Sequence, residues 1–350
     1  MAIVKKRGKL LYIQWYDTLI KKVQSKSTGL VATEANKKKA KVYAKKLQEE
    51  LTKKTQMMKQ LGIQNITIKD AFEHFLKNNQ NKNPKTIKDY LRFYKKFTEY
   101  FNEDKPCATI NKLNVEDWLL GIKKLKLSKN SIHAYGKQLV HFLNFLFEYN
   151  YAQMFKINRE IKTKPEIKEK IVLSDEDIHK IFTNLESKNE NFNVCIYLLF
   201  YTGLRSSDLL TITGDRIDIP NRIIKYYSPK AKKFREIAFH EDLVSVLKSR
   251  VEHVGSEKII TYKSDQGISK EVKKYIIKLK LLNKGYTPRT FRKTFITLCR
   301  SRYNMDASIV RELVGHAHGN TMDRFYNKIE LTQMKEELKK FSRPQISDKS

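Results

Sequence analysis

The chain is poor in cysteine, and the three cysteines that it has are far apart. Cys107, Cys195 and Cys299 form no Cys-x-x-Cys pair and have no histidines at a spacing suited to zinc. The sequence therefore argues against a zinc module and predicts buried or free thiols in a reducing cytoplasm. The first residues lack an apolar core of signal-peptide length, and no stretch approaches the length of a membrane span. We therefore expect a soluble, cytoplasmic protein with no membrane partner.

Acidic residues are also scarce relative to basic ones. The sequence has 70 Lys+Arg against 38 Asp+Glu, a formal charge of +32 that is spread along all 350 residues. A solvated basic surface or a lysine-rich genome would account for part of this surplus. A surplus this large nevertheless repels itself in the folded state unless a polyanion is bound, and nucleic acid is the usual polyanion. Since 40% of the residues are hydrophobic, we expect two or three folded domains that bind nucleic acid.

Three segments are predicted along the chain. Residues 1–60 combine strand-like runs (Leu10–Tyr16 and Ile20–Gln24) with a lysine-rich helix from about Glu34 to Leu51. Residues 65–157 contain four helices with basic faces and aromatic residues at helical spacing. A charged linker, 158–170, leads to a mostly helical segment, 171–341, with one β-hairpin at 222–239, and a polar tail follows at 342–350. The fold class expected is multidomain and mainly α.

One run in the third segment concentrates side chains suited to a phosphate. Thr202-Gly203 interrupts an apolar helix, and Arg205 follows at the start of a new helix, where backbone N–H groups also favour an anion. Asp208, one turn later, can accept a hydrogen bond from Arg205 and hold it in place. A solvent-facing ion pair between these two residues is the alternative explanation.

This run, T-G-L-R-S-S-D-L over residues 202–209, resembles the first box of the tyrosine recombinase (phage integrase) family, T-G-L-R-x-[ST]-[DE]-L. The hairpin sequence 228–239 is similar to the family's G-K-G-x-K-x-R-x-V-P turn and places the family's lysine at Lys230. Pro229 and Ala231 replace the glycines of that turn, so Lys232 and Lys233 remain alternatives.

The remaining family motifs follow in order. Residues 289–295, R-T-F-R-K-T-F, resemble the second box, H-x-x-R-H-[ST]-F; its arginine is Arg292, but Arg289 and Lys293 occupy the two histidine positions. The sequence L-V-G-H over 313–316 fits the family's L-x-G-H and ends at His316, with His318 as an alternative. Residues 321–326 fit the nucleophile segment, which ends at Tyr326. The resemblance spans 171–341, and a looser one covers 65–157.

The resemblance implies DNA cleavage and rejoining through a 3′-phosphotyrosyl intermediate at Tyr326. It implies that Arg205 and Arg292 bind the scissile phosphate, that Lys230 protonates the departing 5′-oxygen, and that His316 bonds the phosphate or handles the tyrosine's proton. Fixed cations stabilise the charge that develops on a phosphodiester under attack. We expect no metal, ATP or other cofactor. A guanidinium cannot shuttle a proton, so Arg289 is expected to bind phosphate.

The resemblance also implies an architecture and partners. It makes 65–157 a helical, SAM-like core-binding domain, 171–341 a mixed α/β catalytic domain, and 1–60 a small α+β arm-type DNA-binding domain. The partners implied are double-stranded DNA sites, a homotetramer on two such sites and a host DNA-bending factor, with the protein working at the nucleoid.

Within the family, an integrase of a phage or integrative element is the reading favoured by the N-terminal extension. A Xer-type chromosome-dimer-resolving recombinase, a type IB topoisomerase and a catalytically weakened DNA-binding relative remain alternatives. After the nucleophile, apolar residues recur at helical spacing, and we expect this stripe to pack on a neighbouring protomer rather than on its own domain. The stripe comprises Leu331, Met334, Leu338 and Phe341.

Overall fold

The computed structural model describes residues 2–17, 22–167, 169, 171–186, 189–316 and 329–344. The chain divides into two compact units, Met1–Ile167 and Lys168–Ser350, and the division falls within the predicted linker. Both units are mainly helical with one small antiparallel sheet each, so the multidomain, mainly α class is confirmed. Among the described residues, no helix is both long enough and apolar enough to cross a membrane.

The first unit begins with a three-stranded antiparallel sheet. Its strands, in spatial order, are β1 (Ile3–Arg7), β2 (Leu10–Asp17) and β3 (Lys22–Val31). Helix α1 (Glu34–Gln60) contacts all three strands and begins where the Thr33 hydroxyl accepts the backbone N–H of Asn36. The helix is longer than predicted. The predicted strand start at Ile20 lies outside the described residues, and β3 begins at Lys22.

Four α-helices follow in the first unit: α2 (Ile68–Asn78), α3 (Pro84–Thr98), α4 (Lys112–Lys124) and α5 (Lys129–Glu148). Each begins after a side chain that accepts a backbone N–H of the first turn, from Thr67, Asn83, Asn111 and Ser128 respectively. The aromatic residues of these helices are core residues. Phe72, Phe75, Phe93, Phe97 and Phe142 are buried together.

The predicted linker is not a free connection over its first part. The backbone N–H of Asn158 donates to the Glu116 carboxylate at 2.8 Å, and that of Glu166 donates to Asn130 at 2.9 Å. The His133 ring also hydrogen-bonds the Thr163 carbonyl. Polar side chains of α4 and α5 therefore hold residues 158–166 against the first unit, which low apolar content alone did not reveal.

The second unit surrounds one large apolar core. The α-helices among its described residues are α6 (Asp175–Thr183), α7 (Glu190–Thr202), α8 (Ser206–Leu209), α9 (Val244–Val254), α10 (Asp265–Lys278), α11 (Pro288–Thr297), α12 (Ala307–Val314) and α13 (Leu331–Leu338). A π-helical turn, Leu298–Arg302, extends α11. The predicted hairpin is present as β5 (Ile223–Ser228) and β6 (Lys233–Ala238), and the short β4 (Ile217–Asp218) pairs with β5.

The apolar stripe at the end of the chain packs on its own domain, so the expectation of packing on a neighbouring protomer is wrong for this structure. Met334, Leu338 and Phe341 are each at most 2% exposed within the core of the second unit. The Phe341 ring lies 5.9 Å from that of Phe200 and 5.2 Å from that of Phe295. The Phe341 ring therefore fills a space in its own domain that is lined by aromatic rings.

Candidate active site

A glycine at the end of α7 brings the first phosphate-binding motif against α11. Gly203 has φ +58°, and a Cβ built there would lie 2.6 Å from the Phe295 ring. A larger residue would therefore meet both backbone strain and a steric clash. The turn ends α7 and places Arg205 at the N-cap of α8.

Arg205 and Asp208 are held inside the domain rather than on its surface. The Asp208 side chain is fully buried, which excludes the solvent-facing ion pair, and its Oδ2 lies 3.6 Å from Arg205 Nη1. Asp208 Oδ1 accepts the Ser228 hydroxyl at 3.1 Å. Arg205 Nη2 donates to the Gly315 carbonyl at 3.1 Å. Asp208 thus joins α8 to the base of the β5–β6 hairpin and orients Arg205.

Arg292 lies on α11 and points back toward the turn that precedes Arg205. Its Nη1 donates to the Gly203 carbonyl at 2.7 Å, while its Nη2 is buried with no hydrogen-bond partner among the described residues. Burial, followed by the nearby charge of Arg205, lowers the pKa of Arg292 to about 10, so the side chain is still charged at neutral pH. A buried, unpaired donor on a charged group favours binding of an anion.

His316 follows the last turn of α12. Gly315 ends that helix with φ +68°, and the backbone N–H of His316 donates to the Arg311 carbonyl at 3.0 Å. His316 remains accessible to solvent. Partial burial is the largest cause that lowers its pKa, followed by the charges of Arg292, Arg205, Lys230 and Arg235. A histidine surrounded in this way stays neutral at pH 7.

Arg235 is a site residue that the sequence reasoning missed. It lies on β6 with a side chain only 7% exposed, and its Nη2 lies 2.7 Å from the Glu312 carboxylate. A Cβ on Gly315 would stand 2.0 Å from Arg235 Nη1 and 3.7 Å from Arg205 Nη1. The arginine of the G-K-G-x-K-x-R-x-V-P pattern falls on Arg235, and β-strand alternation puts it on the same side as Ile237, which is buried. These two signals pointed to an inward-facing arginine.

The other predicted residues are placed as follows. Lys230 is exposed at the hairpin turn, which Lys232 closes with φ +53° and a backbone N–H bonded to the Ser228 carbonyl. Lys232, next to Ala231, is thus the left-handed residue of this turn. Arg289 is exposed in the first turn of α11, three residues before Arg292 and hence on the same side of the helix. Tyr326 and the alternative His318 lie outside the described residues.

A different tyrosine lies inside this cluster of charges. Tyr226 on β5 is fully buried. Burial raises its pKa to about 12, although Arg235, Arg292 and Arg205 act in the opposite direction. A buried phenol with a raised pKa cannot reach a DNA phosphate or ionise readily near neutral pH. Tyr226 therefore packs beneath the arginines of the site and is not a nucleophile.

The site as described consists of fixed cations with few acids. Three guanidiniums, from Arg205, Arg292 and Arg235, and the exposed Lys230 surround the position of His316, with Asp208 and Glu312 as their carboxylate partners. Groups of three or more potential metal-ligating side chains are not found in the described part of the chain. The arrangement suits stabilisation of negative charge on phosphate oxygens.

Comparisons with known proteins show which family the chain resembles. Residues 172–332 match the family model described as the phage integrase family. A tyrosine recombinase of Thermosipho africanus is 24% identical over 272 residues, which cover 72% of this chain and 92% of that protein. Tyrosine recombinase XerD of Staphylococcus epidermidis is 22% identical over 297 residues, covering 79% of this chain and 98% of XerD.

The fold is shared with a solved integrase. The structure of a lambda integrase dimer bound to a COC′ core site superposes with a TM-score of 0.57 at 16% identity, covering 94% of this chain and 97% of that one. The coverage on both sides shows that the shared architecture extends over nearly the whole chain.

Proposed function

Since the chain belongs to the tyrosine recombinase (phage integrase) family, we propose that it performs site-specific DNA recombination through a 3′-phosphotyrosyl intermediate at Tyr326. The observation that carries this proposal is the convergence of Arg205 and Arg292 from separate helices, with the Nη2 of Arg292 buried and unpaired in the described residues. A non-bridging oxygen of the scissile phosphate is the acceptor that fits there.

Both arginines are oriented before DNA arrives. The Gly203 carbonyl accepts a hydrogen bond from Arg292, and the Gly315 carbonyl accepts one from Arg205. The Asp208 carboxylate balances part of the charge of Arg205. When the phosphodiester becomes pentacoordinate, the negative charge on its oxygens increases, and fixed donors then stabilise the transition state more than the ground state. Because the arginines are already in place, little reorganisation is needed during the reaction.

The proton transfers follow from the protonation states of the side chains. A tyrosine hydroxyl has a reference pKa of about 10 and needs a base to become nucleophilic. His316, neutral at pH 7, takes the proton of Tyr326 as the phenolic oxygen attacks phosphorus. The bond between phosphorus and the 5′-oxygen breaks, and Lys230 gives its proton to that oxygen. Rejoining reverses these steps. One phosphoester replaces another, so the reaction requires no ATP.

We propose an integrase of a phage or integrative element rather than a chromosome-dimer resolvase. The fold shared with lambda integrase covers 94% of this chain, whereas the XerD alignment leaves about a fifth of it unmatched. The assignment of 1–60 to arm-type DNA and 65–157 to core DNA goes with this proposal. So do a homotetramer on two sites, a host DNA-bending factor and action at the nucleoid.

The test is covalent trapping on a nicked suicide duplex that carries the attachment sequence flanking the coding gene, in EDTA. Wild type and Tyr226→Phe are expected to form a protein–DNA adduct that resists denaturation, and Tyr326→Phe is expected to form none. An adduct from Tyr326→Phe would show that a different residue is the nucleophile. Tight binding by wild type without any adduct would favour the weakened DNA-binding relative, which the exposed Arg289 in a histidine position keeps open.

A further inference from the structure

Arg235 connects two elements that carry different parts of the active site. It lies in β6, the second strand of the hairpin whose turn bears Lys230. Its Nη2 donates both to the carboxylate of Glu312, at 2.7 Å, and to the backbone carbonyl of the same residue. Glu312 belongs to the last turn of α12, which ends at Gly315 and leads into His316. One guanidinium therefore ties the Lys230 hairpin to the His316 turn.

The fit around Arg235 is tight. A Cβ on Gly315 would lie 2.0 Å from Arg235 Nη1, so the guanidinium occupies the space beside the glycine that a side chain would otherwise fill. The other strand of the hairpin is held independently, because Ser228 at the end of β5 donates to the buried Asp208 at 3.1 Å. The hairpin is thus bonded through β5 to Asp208 of α8 and through β6 to Glu312 of α12.

This arrangement is electrostatically costly, which argues against a role in packing alone. Arg235 is 93% buried by its side-chain exposure of 7%, and its Nε has no hydrogen-bond partner among the described residues. Its charge also acts on another buried cation, Arg292. An apolar residue would avoid this cost, since burying like charges together is unfavourable. Glu312 offsets part of it.

We propose that Arg235 is a positioning residue of the strand-transfer site, which holds the hairpin of Lys230 and the turn of His316 in one fixed arrangement. Its Nη2 bonds two acceptors of Glu312 on α12 while its Nη1 lies beside Gly315, and the single nitrogen of a lysine cannot occupy both places. This inference rests on the proposed function for its consequence in catalysis, but the tie between the two elements can be measured without DNA.

The catalytic consequence is tested with Arg235→Gln and Arg235→Lys, with Lys225→Gln as the matched control. Lys225 lies on the same hairpin, is exposed and pairs with Glu236, so its replacement removes one hairpin charge without touching α12. At saturating protein, Arg235→Gln is expected to form the Tyr326 adduct about 10²-fold more slowly and Arg235→Lys to lose less, with DNA affinity unchanged in both. Reduced affinity with an unchanged saturating rate would make Arg235 a DNA-binding residue and overturn the proposal.

The second measurement is the titration of His316 by NMR in the free full-length protein, with His316→Asn identifying its signal. Four cations face this histidine: Arg205 from α8, Arg292 from α11, Lys230 from the hairpin turn and Arg235 from β6. Arg235→Gln is expected to raise the pKa of His316, Arg235→Lys to raise it less, and Lys225→Gln to leave it unchanged. An unaltered pKa in Arg235→Gln would overturn the proposal even if no DNA substrate were cleaved, so its failure is distinct from that of the proposed function.

Discussion

The Nη1 of Arg292 donates to the carbonyl of Gly203 at 2.7 Å, although 89 residues separate them. This bond joins the two arginine motifs directly, because Gly203 belongs to the turn that presents Arg205. It leaves the buried Nη2 of Arg292 as the donor available to a phosphate. The Gly203 backbone thus has two roles. Its φ of +58° forms the turn before Arg205, and its carbonyl orients the guanidinium of Arg292.

Replacement of Arg292 by lysine is expected to lower the single-turnover rate of adduct formation by about 10²- to 10³-fold. A lysine has one nitrogen, which cannot bond the Gly203 carbonyl and a phosphate oxygen in the fixed geometry of a guanidinium. The measurement is quenched-flow trapping on the suicide duplex at saturating protein. Arg302→Lys is the control, because Arg302 pairs with Asp175 at the surface of the same unit. A rate within twofold of wild type for Arg292→Lys would argue against bidentate use of this arginine.

Gly315→Ala is expected to destabilise the second unit by more than an ordinary left-handed glycine substitution does. Strain at φ +68° costs about 1–3 kcal/mol, and the new Cβ would also stand 2.0 Å from Arg235 Nη1. Gly285→Ala measures the cost of the backbone strain alone, since Gly285 has φ +65° and its added Cβ would lie 3.8 Å from the nearest side chain. Urea unfolding of the two variants gives the comparison. Equal losses in free energy of unfolding would show that Arg235 moves aside without cost.

The sequence predicted those features that depend on local chemistry. The hairpin within 222–239 and the lysine-rich helix that begins at Glu34 each follow from short patterns. Burial of Asp208 and the tie between Arg235 and Glu312 did not, because they join residues that are close only after folding. The length of α1 was also underestimated, since its second half is polar and gives little helical periodicity.

Acid is expected to slow cleavage only below the ordinary titration range of histidine. His316 has a lowered pKa, so it remains a neutral base at pH values where an unperturbed histidine, with a pKa of about 6.5, is already protonated. The rate should therefore fall with decreasing pH at a lower midpoint than 6.5. The pH profile of single-turnover cleavage measures it, and a midpoint at or above that of a free histidine would contradict the role of the four cations.

The lowered pKa of His316 also makes the free energy of unfolding depend on pH. A histidine whose folded pKa lies below its unfolded pKa binds fewer protons in the folded state. The free energy of unfolding therefore falls as pH drops from about 6.5 towards the folded pKa, and below that window the loss is complete. His316→Asn should weaken this pH dependence in thermal unfolding. An identical profile in both proteins would show that His316 titrates as it does in the unfolded chain.

Phe341→Ala is expected to destabilise the isolated protein, because this residue belongs to the core of its own domain. The ring is 2% exposed and lies within 6 Å of the rings of Phe200, Tyr201 and His240. Loss of a buried phenylalanine costs about 3–5 kcal/mol, so urea unfolding at low protein concentration should show a large decrease. Leu331→Ala, half-buried on the same stripe, should cost less. If the stripe instead packs on a neighbouring protomer, Phe341→Ala would leave the dilute protein unchanged and weaken only its assembly on DNA.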